Sequence, residues 1–143
     1  MKYFPLLLMV FSASSFAVKV NDNNCKSSLS STGIAMMDEM REKMHTDTKG
    51  INEKDITTEL LFNEPVTDIL SAYYAKQSYE EDRALTLEAY KEMYSEDNPV
   101  NLIIKFTVKN NQKKENIFLI SAIASNYECN IRFNGYVIVK REF

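Results

Sequence analysis

Val100-Asn101-Leu102-Ile103-Ile104-Lys105-Phe106-Thr107-Val108 decides the fold class. Val100, Leu102, Ile104, Phe106 and Val108 take every second position, the period of a strand with one buried face. Residues 109–115 form a polar, basic loop, and residues 117–124 are apolar nearly throughout, the pattern of a strand central in its sheet. Residues 127–133 and 136–141 then flank Asn134-Gly135, a two-residue hairpin signal because both positions tolerate positive φ. The C-terminal part of the chain therefore reads as a four-stranded antiparallel β-meander.

Register sharpens this reading. With Asn134-Gly135 as the turn, Phe133 faces Tyr136 and Ile131 faces Ile138. With Ser125-Asn126 as a second two-residue turn, Ala122 faces Cys129, Ile120 faces Ile131 and Phe118 faces Phe133. These side chains then share one sheet face. Small Ala122 leaves room for a disulfide arriving at Cys129 from a helical layer.

Upstream, the period changes from two to three and four. Leu29, Gly33, Met36, Met37, Met40 and Met44 mark one side of an amphipathic helix that ends in the polar stretch 46–50. Ser27 or Ser28 is positioned to cap its start. Helical spacing makes the methionine stripe a core face ahead of an adaptable binding groove. Residues 52–62 are ambiguous: Ile56, Leu60 and Leu61 suit a short helix, and Thr57-Thr58 weaken it. Asn63-Glu64-Pro65 reads as a helix start, followed by Val66, Ile69, Leu70, Tyr73 and Tyr74 at helical spacing. Ser78 with Glu81 resembles a capping box that restarts a helix at Tyr79, and Pro99 closes the helical part. The expected fold is α+β: an N-terminal layer of about three helices on one face of the meander, pinned by one disulfide.

Residues 1–17 have the layout of a secretory signal peptide. Lys2 precedes an apolar run from Phe4 to Phe11, and Ser15-Phe16-Ala17 supplies the small-x-small cleavage site. That run is too short to span a bilayer, and Val18 after the site is not a lipidation cysteine. The chain has 143 residues, so residues 18–143 make a single domain in the periplasm or outside the cell. Export makes a Cys25–Cys129 bridge the default for the only two cysteines. Net charge is −3, and loss of Lys2 leaves the remainder more acidic, which argues against nucleic-acid binding.

Chemistry-bearing motifs are sparse. His45, the only histidine, stands where the first helix ends and reads as a surface or capping residue. Asp38, Glu39 and Glu42 form a solvated helix face without the glycine and alternating ligands of a calcium loop. Three glycines leave no phosphate loop. No metal, cofactor or catalytic residue is indicated, so the chain reads as a non-enzyme. The best signal outside the core is tyrosine with acid: eight tyrosines, no tryptophan, and a run containing Tyr73, Tyr74, Tyr79, Glu80, Glu81 and Asp82. Tyrosines anchor interfaces, and carboxylates steer a basic partner. These six are the candidate contacts.

A cysteine before a helix containing Gly33-Ile34-Ala35, then antiparallel strands with a second cysteine late in the sheet, resembles the small periplasmic immunity proteins of the colicin M immunity type. The resemblance covers the Cys25 helix and residues 101–140, and residues 46–99 depart from it. It implies a protein that neutralises a toxin by binding, without catalysis. The leading reading of the chain is an inhibitor or immunity protein for a toxin or cell-wall hydrolase, a monomer or small homo-oligomer without a membrane anchor. Two other functions fit the same chain: a secreted virulence or colonisation factor, and a cone-shaped α+β domain holding a small ligand between helices and sheet.

Overall fold

A computed structural model describes residues 22–143; the signal-peptide reading lies outside them. The elements are α1 (Asp22–Cys25), α2 (Ser31–Glu42), a 3₁₀ turn (Glu53–Asp55), β1 (Ile56–Pro65), α3 (Asp68–Glu81), α4 (Leu87–Met93), β2 (Val100–Lys109), β3 (Glu115–Ala124) and β4 (Arg132–Lys140). The strands form one antiparallel sheet in the order β1-β2-β3-β4, and Cys25 is bonded to Cys129. The α+β class, the four-stranded meander and the single disulfide are thus as the sequence indicated.

The identity of two strands is not. The ambiguous stretch is β1, and Asn63-Glu64-Pro65 ends that strand instead of starting a helix. Pairing with β2 decides this, because Ile56, Thr58 and Leu60 lie opposite Val108, Phe106 and Ile104. β-Branched Thr57 and Thr58 favour a strand, and Pro65 is tolerated because β1 has only one neighbour. Asn134-Gly135 lies inside β4, where the pairing with β3 slips between Ser121 and Ala122. Gly135 has φ +115°, so the freedom expected of a turn serves a bulge. The reversal occurs over residues 125–131, closed by Ser125 N–H donating to the Glu128 carbonyl at 2.7 Å. Cys129 sits in that loop, so Ala122 faces Phe133 and not Cys129. The disulfide fastens this loop to the end of α1, and the Thr32 hydroxyl, which donates to the Cys129 carbonyl at 2.5 Å, fastens it to the start of α2.

Helix α2 is capped by Ser30, two or three residues later than read, because its hydroxyl oxygen accepts from Gly33 N–H at 3.2 Å. Met36, Met40 and Met44 are buried against Phe106, Val108, Phe118 and Ile120, so the stripe is core. Cys25 packs beside Val100, Leu102, Ile104 and Ala124 at the end of the same sheet face. Helices α3 and α4 close a further cluster, in which Ala75, Tyr90 and Tyr94 pack with Ile123. Ile123 alternates with Ala122 and Ala124, so this helical pair approaches one end of the sheet from the side opposite α2.

Candidate functional site

Helix α3 carries the six candidate contacts. It is one helix, capped by Thr67, whose hydroxyl oxygen accepts from Leu70 N–H. Ser78 does not restart it; that residue is buried within it. The stripe that α3 buries is made of small residues, Ser71, Ala75 and Ser78, one turn apart. Small side chains let the helix lie close to α4 and the sheet. The larger apolar residues on neighbouring positions are left outside: Ile69 is 84% exposed and Tyr73 54%.

The six residues divide into two sets. Tyr74, Glu81 and Asp82 are engaged by the fold. Arg132 reaches from β4 to Glu81 with two hydrogen bonds, 2.7 and 3.1 Å, and donates to Ser78 Oγ at 2.8 Å. Ser78 and Tyr94 hydroxyls, both buried, are 2.9 Å apart. The guanidinium carbon stands 5.6 Å from the centre of the Tyr74 ring, a cation–π contact. The Tyr90 hydroxyl donates to Asp82, which also accepts from Ala84 N–H at 2.8 Å.

These bonds set the electrostatics. Hydrogen bonding to Arg132 holds the Glu81 carboxyl below its ordinary range. The Ala84 N–H, then the Tyr90 hydroxyl, lower that of Asp82. The same bond to Asp82 raises the Tyr90 phenol, and burial raises that of Tyr74.

Tyr73, Tyr79 and Glu80 form the outward set. The Tyr73 hydroxyl accepts from Gln77 Nε2 at 2.9 Å, and Arg83 stands 5.9 Å from the Tyr79 ring centre. Ile69, Tyr73 and Glu80 lie four and seven residues apart, which keeps them on one exposed side of α3. Sequence reasoning missed Arg132, Ser78 and Tyr94 as the supports of this surface. Their link spans 54 residues between Ser78 and Arg132 and has no local signature.

Elsewhere, His45 is exposed and has φ 53° just beyond α2. It lines a rim cleft of about 340 Å³ with Thr46, Lys49 and Arg141. Arg141 is committed to the Met44 carbonyl at 2.8 Å. Among the described residues, no group of three or more His, Cys, Asp or Glu side chains is placed to hold a metal ion, and no helix is long and apolar enough to cross a membrane. Comparison with known proteins found no matching family, no matching curated relative and no matching solved structure.

Proposed function

We propose that the chain is an exported protein-binding module that neutralises a toxin or cell-wall hydrolase by occupying it, with the outer side of α3 as its contact surface. The observation that carries this reading is apolar and aromatic surface left outside by a rigidly supported helix. Ile69 and Tyr73 are exposed on consecutive turns, and Glu80 follows on the same side. Beneath them, Arg132 ties Ser78 and Glu81 to β4. A surface already fixed in shape loses little entropy on binding, and tyrosine loses less than longer side chains. Between α2 and the sheet, Met36, Met40, Phe106, Phe118 and Ile120 are packed and closed to solvent, which favours a surface over an interlayer ligand cavity. Export, an acidic balance and the immunity-protein resemblance supply the class of partner.

The test is affinity capture with the oxidised protein from the host envelope and from competitors' secreted toxins, followed by binding curves for the captured partner. Tyr73→Ala is expected to weaken binding by about 2 kcal/mol, the scale of an interface anchor. Glu80→Lys is expected to slow association and reduce its salt dependence. If both variants bind the true partner with unchanged affinity and rate, this surface is not the contact.

A further inference from the structure

The rim cleft of about 340 Å³ beside His45 lies at the end of the sheet away from α3 and α4, which pack on Ile123 near the close of β3. Its walls are two loops, residues 45–51 after α2 and residues 110–112 before β3, with Arg141 just beyond β4. We propose that this cleft binds a small free oxyanion, a carboxylate or a phosphate. Its volume is at the lower end of small-molecule sites, which run from roughly 300 Å³ upward. This inference is independent of the α3 reading.

Both loops are fixed by their own bonds. Asn110 Oδ1 accepts from Gln112 N–H at 2.9 Å and from Lys114 N–H at 3.0 Å, and Asn110 N–H donates to the Lys114 carbonyl at 3.0 Å. In the other loop Asp47 Oδ1 accepts from Lys49 N–H at 3.0 Å, and Thr46 N–H donates to the Met40 carbonyl at 2.9 Å. Gly50 turns that loop at φ +85°. A site held in shape before binding loses little entropy when a ligand enters it.

The lining side chains keep donors that this bonding does not use. One Nη of Arg141 donates to the Met44 carbonyl at 2.8 Å, which orients the guanidinium and leaves its other N–H groups for a ligand. Among the described residues Lys49 and Arg141 have no carboxylate partner, whereas Lys109 and Lys140 at the same end of the sheet share Glu115. The His45 imidazole and the side-chain amides of Asn111 and Gln112 also have no hydrogen-bond partner there. A guanidinium takes two oxygens of a carboxylate or phosphate at once, and an ammonium with amide donors answers the remaining lone pairs. Thr46 is an independent sign. It is 7% exposed, it lines the cleft, and its hydroxyl has no partner, which is rare for a buried polar group in a native fold.

Charge agrees with this ligand class. Asp47 is the one carboxylate side chain in the lining, and it is turned to the Lys49 N–H. The Phe143 carbonyl is turned to the Asn116 amide at 2.9 Å. A neighbouring cleft shares Asn110 and Asn111 and adds Lys54 and Lys113 with Asp55. The side chains lining the two clefts are therefore positive in sum, although the chain as a whole carries −3. A positive cleft on an acidic protein concentrates small anions where the donors converge.

Amide chemical shifts of the nitrogen-15-labelled oxidised protein test it, in separate titrations with sodium phosphate and with citrate at constant ionic strength. Shifts at residues 45–51 and 110–112 should saturate with a dissociation constant of about 1 mM for at least one anion, and the anion that saturates names the chemistry. Lys49→Gln should weaken that binding about tenfold with circular dichroism unchanged, because the Lys49 side chain is exposed. Arg141→Gln should remove the saturation. Tyr73→Ala should leave it intact, which separates this cleft from the α3 surface. Shifts that stay linear to about 50 mM with both anions overturn the proposal. So do saturating shifts confined to other residues, or a Lys49→Gln variant that binds as tightly as the parent.

Discussion

Arg132 of β4 and Glu81 at the end of α3, 51 residues apart in sequence, are joined by two hydrogen bonds of 2.7 and 3.1 Å. Their pairing converts part of an acidic run that looks like free surface into the brace that positions the rest. Arg132 also holds Ser78, and through it meets the Tyr94 hydroxyl, so one residue links β4, α3 and the residue following α4.

Replacing Arg132 with alanine should therefore cost more than an exposed ion pair. It removes three hydrogen bonds and the stacking on Tyr74, and leaves the buried Ser78–Tyr94 pair to re-satisfy itself. A loss of about 2 kcal/mol in urea unfolding is expected. A change near zero would mean that the brace carries no net stability.

Acid should weaken the same junction. The native fold lowers the Glu81 and Asp82 carboxyls, so the unfolded chain binds more protons and stability rises with pH across their titration. The contribution is complete above the ordinary carboxylate values of about 4, and it is lost as pH falls through the lowered native ones. Stability measured from neutral pH downward should show this acid limb, and Arg132→Ala should flatten the Glu81 share. An identical limb in the variant contradicts the assignment to Arg132.

Removing the disulfide with Cys25→Ser and Cys129→Ser together should destabilise the protein by about 4 kcal/mol, because the bond closes a long loop. The sequence separation is 104 residues. Hydrogen exchange should rise first in residues 125–131, which the bridge holds against α1 and Thr32 against α2. Protection retained throughout that loop would show that Thr32 and the turn bonds hold it alone.

Gly33 has no room for a side chain. A Cβ there would stand 2.4 Å from the Ser28 carbonyl oxygen and 2.7 Å from that of Ser27. Both are backbone atoms, so the start of α2 has to move. Gly33→Ala should lower stability by about 2 kcal/mol despite alanine's better helix propensity. Thermal denaturation decides it: an unchanged or raised midpoint refutes the close approach.

Asn116 is fully buried and clasps the backbone of Glu142 and Phe143. Its amide donates to the Phe143 carbonyl at 2.9 Å, and its oxygen accepts from the N–H groups of Glu142 and Phe143 at 2.8 and 3.2 Å. Asn116→Ala should cost about 2–3 kcal/mol by stranding these groups. Hydrogen exchange at the N–H groups of Glu142 and Phe143 should then rise; unaltered exchange counts against the clasp.

Helix existence, the alternation of β2, the continuous apolar run of β3 and the methionine core face were legible because each depends on neighbours within a few residues. β1 was not, since Ile56, Thr58 and Leu60 favour a strand only once Val108, Phe106 and Ile104 lie beside them. The tyrosine–acid run was visible, but its division was hidden. Hydrophobic spacing placed Ile69, Leu70, Tyr73 and Tyr74 on one helix without deciding which are buried, and the close approach of α3 through Ser71, Ala75 and Ser78 turned Ile69 and Tyr73 outward.

By itself, the sequence determined what local chemistry and counting can determine: the periods of two and 3.6, the α+β class, and the cysteine pair. Tertiary structure alone decided how Asn134-Gly135 is used. The pair supplies positive φ to a turn or a bulge equally well, and Cys129, anchored to Cys25, held the reversal to residues 125–131. It alone decided, too, which acids and tyrosines are tied to the sheet and which have only partners close by in sequence. A long-range arginine chose Glu81 over Glu80, and that choice depends on where β4 passes α3, a distance no local pattern encodes.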